Sequence, residues 1–356
     1  MPRWAVVSVV AAVAAAGCPS PDETRTTPDA GFQDVSLDDA NAAGFQFQTP
    51  EYTVPEGKEY QDCYFVAMPD LAGGQDYYMD RFRLGALPGT HHVNVFRVKT
   101  IFHLDGAPGT VVHGENPKTD ECFKSGNWAD WPLVVNTQNS DPAHPYFDWH
   151  LPNGVAHKFS PGEKLMVQVH YVNAATQDTP GNAHVVLDMY RSQLASPVEL
   201  GTLFATQQSI RICQSNPTPS FHGTCLFNAG AKTIVAANGH FHSRGTKFAI
   251  YHWDGVTTTQ PPAANQFYES DDWDHPDMHI YDPVLADASG GVWWTCDYEW
   301  MPPDPDAGGC DAVNARDPSV DKDCCYTFGP VVETSEHCNM FLYYYPKAGG
   351  SDITCF

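Results

Sequence analysis

The sequence predicts an all-β protein made of two β-sandwiches in tandem and stabilised by disulfides. Short runs rich in Val, Ile, Phe and Tyr recur along the chain, with turn residues between them. No segment keeps a helical period over three turns. Glycine and proline are frequent, 28 and 29 of 356 residues, while charged residues make up only 17%. That mixture suits many short strands joined by turns better than long helices. The length is enough for two domains of ordinary size, and no repeat of solenoid length stands out.

The first element is "MPRWAVVSVVAAVAAAGC", with one arginine, an apolar run and small residues before Cys18. The run is short for a membrane span and reads as a secretion signal. Ala-Ala-Gly-Cys resembles a bacterial lipobox. Residues 1–18 are therefore expected to be a lipoprotein signal, cleaved before Cys18 with lipidation of its thiol. An ordinary signal peptide cut nearby is the plainer alternative. Residues 19–45, rich in Pro, Asp, Thr and Ala, have too few apolar side chains for a core and read as a flexible tether.

Residues 46–195 carry the runs "DCYFVAM", "HHVNVFRV", "KLMVQVHYV" and "AHVVLDMY", punctuated by "LAGGQD", "LPGT", "LPNG" and "SPGE". Residues 196–356 repeat the pattern with "SIRIC", "KTIVAANGHFH", "KFAIYHW", "GVWWTCDYEW" and "CNMFLYYYP". The boundary is expected near "RSQLASPVEL". The segment 301–325 reads as a Cys-, Pro- and Asp-rich loop held by its own disulfides.

The formal net charge is −24, from 19 basic and 43 acidic residues. Nucleic-acid binding needs clustered Lys and Arg, so a nucleic-acid partner is not expected. Surface acid serves solubility. Ten cysteines follow Cys18, an even number in a chain expected to be exported, and no CxxC pair occurs among them. They read as a disulfide framework rather than a zinc site. Adjacent Cys324 and Cys325 are expected to take different partners.

The histidines carry the chemistry. In "VAANGHFHSRG", His240 and His242 stand two apart on a strand-like run, so both imidazoles point to one face and one ion can accept both. Two hydrogen-bonded or surface histidines are the bland reading. In the first half, "LPGTHHVNVF" supplies His91 and His92, and "LMVQVHYVN" supplies His170. Neighbours on a regular strand face opposite ways, so His91 and His92 share an ion only at a bulge or strand end. Otherwise one of them is a core group. "TSEHCNMFLYYYP" offers His337 and Met340, three apart, of which only one can join His240 and His242; core packing is the plain role for Met340. These clusters read as imidazole-only. That leaves copper and zinc open and disfavours magnesium and calcium. Gln168 shares the strand face of His170 and is a candidate to orient it. The other histidines, 103, 113, 144, 150, 157, 184, 222, 252, 275 and 279, read as structural or solvated.

Taken in order, the "HH" of the first half, "QVHY" at its end, "HxH" in the second half and a "CN" strand ending in "YYYP" resemble the copper type II, ascorbate-dependent monooxygenases. The likeness runs from about residue 46 to 356. It implies two jelly-roll-like sandwiches, each carrying one copper on the wall of a shared cleft. His91, His92 and His170 match the ligands of an electron-transferring copper. His240 and His242 match two ligands of the copper at which oxygen is used. In the family the third ligand there is a methionine just before the Cys-Asn pair; here that position is His337, with Met340 in reserve. A third imidazole holds Cu(II) better than a thioether and implies a lower potential.

The resemblance implies hydroxylation of a C–H bond with O2, two electrons being drawn one at a time from ascorbate. The peptide-hydroxylating members have an arginine two residues before the HxH pair, where this chain has Asn238. A family tyrosine is replaced by Phe341, while Asn339 is retained. The substrate is thus expected to be a small organic or peptide molecule other than a glycine-extended peptide. The family also suggests the disulfides Cys63–Cys122, Cys296–Cys338 and Cys213–Cys355, and leaves Cys225, Cys310, Cys324 and Cys325 unplaced. Any membrane contact is expected through the lipid anchor alone, and the protein is expected to be a monomer. Two rival expectations remain: an exported copper-binding or electron-transfer lipoprotein without hydroxylase activity, and a zinc-bound structural β-sandwich.

Overall fold

A computed structural model gives the fold. It describes residues 44–356 except 56–57, 87–89, 100, 102–105, 116–121, 123–130, 137–145, 173–180, 228–229, 274–275, 277, 289, 304, 306–308, 316–322, 330–333 and 348–350. The signal and lipobox at Cys18 and the tether lie outside the described residues up to residue 43, as do His103, His144 and His275. The described residues belong to one compact unit.

The chain is nearly all β, with one short α-helix, Gly309–Asn314, among the described residues. No described helix is long and apolar enough to cross a membrane. In the first half, a five-stranded sheet runs in the order Val111–Gly114, Glu59–Ala67, Lys164–Val172, Thr90–Arg97, Leu133–Asn136. A six-stranded sheet that includes Tyr77–Ala86 and Val185–Arg191 contributes to the same core, where Phe82, Leu187 and Met189 meet Val93, Val95 and Val167. The alternation in "HHVNVF" is the cause. Val93 and Val95 point inward, and His92 and Asn94 point to the other face.

In the second half, a five-stranded sheet runs His279–Ala288, Lys232–His240, Asn339–Tyr345, Gly201–Thr206, Ile353–Cys355, and a four-stranded sheet includes Gly291–Tyr298 and Gly245–Trp253. Their apolar faces form a second core around Phe248, Ile250, Trp294 and Leu342. Val198–Glu199 pairs in parallel with Val155–Phe159, so the first half's pairing runs past residue 195 before Gly201–Thr206 opens the second. The halves share apolar contacts. Val235, Ala236 and Tyr343 belong to the first core, and Tyr343 packs edge-on against Trp149 at 4.8 Å between ring centroids.

All ten cysteines after Cys18 are spent in five disulfides: Cys63–Cys122, Cys213–Cys325, Cys225–Cys355, Cys296–Cys338 and Cys310–Cys324. Two of the expected pairs form, and Cys324 and Cys325 do take different partners. Cys213–Cys355 is corrected. Cys213 lies directly opposite Cys325 on the antiparallel strands Arg211–Cys213 and Cys325–Phe328, with Cα atoms 4.0 Å apart. Cys355, on an edge strand, reaches Cys225 instead.

Candidate metal centres

The second half brings three imidazoles together. Lys232–His240 ends at His240, whose partner across the ladder is Asn339. Asn339, Phe341, Tyr343 and Tyr345 share one face of their strand, and Phe341, Tyr343 and Tyr345 pack against the first core. His240 therefore stands at the end of the face turned toward the first half. Phe241 turns inward and is 1% exposed, so the histidines on either side of it emerge together. A turn follows at once, closed by the Gly245 amide donating to the His242 carbonyl at 2.8 Å. The glycines of "NGHFHSRG" are required by packing: a Cβ at Gly239 would stand 2.3 Å from the Phe248 ring, and one at Gly245 1.7 Å from Phe241.

His337 completes the cluster. One ring nitrogen from each of His240, His242 and His337 lies within 4.8 Å of the others, and His240 Nε2 is 3.1 Å from His337 Nδ1. His242 Nδ1 faces the Ser335 carbonyl at 2.9 Å. As donor to that carbonyl it keeps its proton, which leaves Nε2 as the ring nitrogen that could take a metal ion. His337 is pinned from behind: Tyr298 Oη donates to its carbonyl, and the next residue, Cys338, is tied to Cys296. Met340 lies on the opposite strand face, fully buried in the second core. The reserve ligand is thus a core residue, because one residue's change in strand position reverses the face.

The imidazole-only reading overlooked Glu336. This carboxylate is 0% exposed. It accepts hydrogen bonds from the amides of His242 and Arg244 at 2.8 and 3.0 Å, and from the Arg244 guanidinium at 3.2 Å. Burial pushes its pKa up to about 7, against the pull of Arg244 and the amides. Arg244 also lies over the Tyr326 ring at 4.0 Å. Glu336 thus holds the backbone of the HxH turn and stays out of the imidazole cluster. Its signal in the sequence is its place beside His337, with Arg244 two residues beyond His242.

In the first half, His92 and His170 are direct cross-strand partners with ring centroids 4.9 Å apart. The register slips just there: the next pair is Tyr171 with Thr90, so His91 is the extra residue. A bulge of this kind is what two adjacent histidines would need to face one ion. The His91 side chain lies outside the described residues. Gln168 is buried one pair further along on the same face and accepts a hydrogen bond from Asn94 Nδ2 at 3.0 Å. Asn238 is fully buried and donates to the Pro276 carbonyl at 3.0 Å. Phe341 is half-buried, 5.2 Å from the Phe204 ring. Cys213, Asp323 and Cys325 also crowd together, but both sulfurs are consumed in a disulfide.

Three imidazole nitrogens, one with its tautomer set by a backbone carbonyl, fit a copper or zinc ion. The sequence matches no family model, and no curated protein matches it significantly.

Proposed function

We propose that the protein is an exported, copper- and ascorbate-dependent monooxygenase that hydroxylates a C–H bond of a small organic or peptide substrate with O2. The observation that carries this is the convergence of His240, His242 and His337, from two distant segments, with ligand atoms within 4.8 Å of one another. The His92–His170 pair at a bulge supports a second centre with His91. Copper held at these sites would supply one-electron redox chemistry and a place for oxygen to be used.

The chain's own residues set the frame. Ser335 fixes the His242 tautomer. Glu336 and Arg244 hold the turn. Tyr298 and the Cys296–Cys338 bridge hold the His337 backbone. Asn238, spent on Pro276, offers no guanidinium fork, which favours substrates without a carboxylate anchor. Five disulfides suit an oxidising compartment, in keeping with a lipid-anchored protein outside the cytoplasm.

Purified protein titrated with copper tests the reading, followed by ascorbate-dependent oxygen uptake over a substrate panel. His337→Ala is expected to bind one copper fewer per chain. Unchanged stoichiometry and unchanged Cu(II) spectrum would remove His337 from the site. A second reading, copper binding or electron transfer without hydroxylation, is favoured by one observation: an imidazole stands where the family has a thioether. Copper binding without substrate-dependent oxygen uptake would select it, and zinc with no copper would reject both.

A further inference from the structure

Three consecutive residues reach the second-half cluster with three different groups. Ser335 offers a carbonyl to His242 Nδ1, and His337 offers an imidazole. Glu336, between them, brings a charge. Parallel pairing holds the segment in register, with Ser335 beside Thr327 and Glu336 beside Phe328. The two oxygens of the Glu336 carboxylate are used differently. Oε1 takes both Arg244 donors, the amide at 3.0 Å and the guanidinium at 3.2 Å. Oε2 takes the His242 amide at 2.8 Å. The guanidinium in turn lies over the Tyr326 ring, 4.0 Å from its centroid. The carboxylate thus stands between the guanidinium and the backbone of His242, with both charged groups buried.

Holding a turn does not require a charge. A backbone carbonyl, a serine or a glutamine accepts an amide without the cost of burying an anion. What the carboxylate adds is a fixed negative charge behind the imidazoles. Imidazoles bind metal in their neutral form, so His240, His242 and His337 offer a cation no counter-charge of their own. Attraction to a fixed carboxylate scales with the charge of the ion, and salt screens a buried charge much less than an exposed one. A divalent ion therefore gains about twice what a monovalent ion gains. Arg244 offsets part of this from the other side of the carboxylate.

We propose that the buried carboxylate of Glu336 is a specificity-determining group of the second-half centre, favouring a divalent ion, Cu(II) or Zn(II), over Cu(I) at His240, His242 and His337. The inference rests on the metal reading above and deepens it. Glu336 acts through its charge and is not itself a ligand, because its oxygens are spent on the His242 and Arg244 donors. The imidazoles set where an ion sits, and the carboxylate sets which charge that ion carries.

Chelator competition on the purified full chain tests this, with Zn(II) and Cu(II) as divalent probes and anaerobic Cu(I) as the monovalent one. The assay runs at pH 8.5, above the value of about 7 to which burial lifts Glu336. The affinity read is that of the ion lost in His337→Ala, which separates this centre from the first-half histidines. Glu336→Gln keeps an acceptor for the His242 amide and removes the charge. It is expected to bind Zn(II) and Cu(II) about 100-fold more weakly and Cu(I) about tenfold more weakly. The tenfold difference raises the one-electron potential of the bound copper by about 59 mV, read by redox titration of the Cu(II) EPR signal. Glu336→Asp, which keeps the charge on a shorter arm, is expected to retain the wild-type ratio of Cu(II) to Cu(I) affinity. Should Glu336→Gln not fold with Arg244 unpaired, the double change Glu336→Gln with Arg244→Met is expected to move the ratio in the same direction. In either variant, equal weakening of all three ions with an unchanged potential would mark a purely structural support and overturn the proposal. If His337→Ala loses no ion, the metal reading fails, and the role of Glu336 falls with it.

Discussion

Gly245 is where the fold and the proposed second metal centre can be perturbed together by a single methyl group. Its backbone lies outside the left-handed region, so alanine meets no backbone strain there. The added Cβ, however, would stand 1.7, 2.4 and 2.6 Å from Phe241 ring atoms. To regain ordinary contact near 3.4 Å the ring must retreat by about 1.7 Å. Phe241 is buried in the second core, where overpacking costs roughly 1–3 kcal/mol. It also lies between His240 and His242, so any retreat drags the imidazoles. Gly245→Ala is therefore predicted to lower the urea midpoint by that energy and to weaken copper binding roughly tenfold, about 1.4 kcal/mol. Gly154→Ala is the control. Gly154 has φ +89 and nothing within 4 Å of a Cβ, so its cost is backbone strain of about 1–2 kcal/mol, in a turn of the first half. It is predicted to lower stability comparably and leave copper affinity unchanged. Urea unfolding and chelator competition measure both. If Gly154→Ala weakens copper as much as Gly245→Ala does, affinity merely follows global stability and the local account is wrong.

Three further predictions follow from single residues. Met340→Leu, a near-isosteric change in the second core, is predicted to cost less than about 1.5 kcal/mol and to leave copper stoichiometry intact; loss of an ion would return Met340 to the ligand set. The double change of Cys225 and Cys355 to serine opens a loop of 130 residues and is predicted to cost about 2–5 kcal/mol in urea unfolding. His157 is buried, and its pKa is depressed by burial, with Arg97 and Lys347 adding to it. The unfolded chain binds a proton near pH 6.5 that the folded chain refuses, so His157's contribution is present above that pH and lost below it, by about 1.4 kcal/mol per pH unit. His157→Phe is predicted to flatten this slope between pH 6.5 and 5, and equal slopes would count against a neutral His157.

What rests on local spacing is legible in the sequence. Residues two apart share a face, and that spacing alone pairs His240 with His242, although the strand itself stops at His240. Two adjacent ligands demand a bulge, and the ladder slips at His91. What the sequence hides depends on contacts between distant segments. Glu336 binds the His242 amide across 94 residues, and no local spacing announces that meeting. Cys213 faces Cys325 because two short strands pair in a small third sheet, a pairing that no count of cysteines can choose. The same division separates ligands from their supports. Histidine ligands must recur at spacings that a strand or bulge can present, so they leave a pattern. The groups that hold them need only one hydrogen bond each, from any element the fold brings near. Ser335 contributes a backbone carbonyl, which any residue carries, and so no inspection of residue types can find it. The buried Glu336–Arg244 pair is different in kind. Burying a carboxylate is costly unless it is bound, and a glutamate beside a candidate ligand histidine within "TSEHCNM" is the one trace of the support that residue types carry.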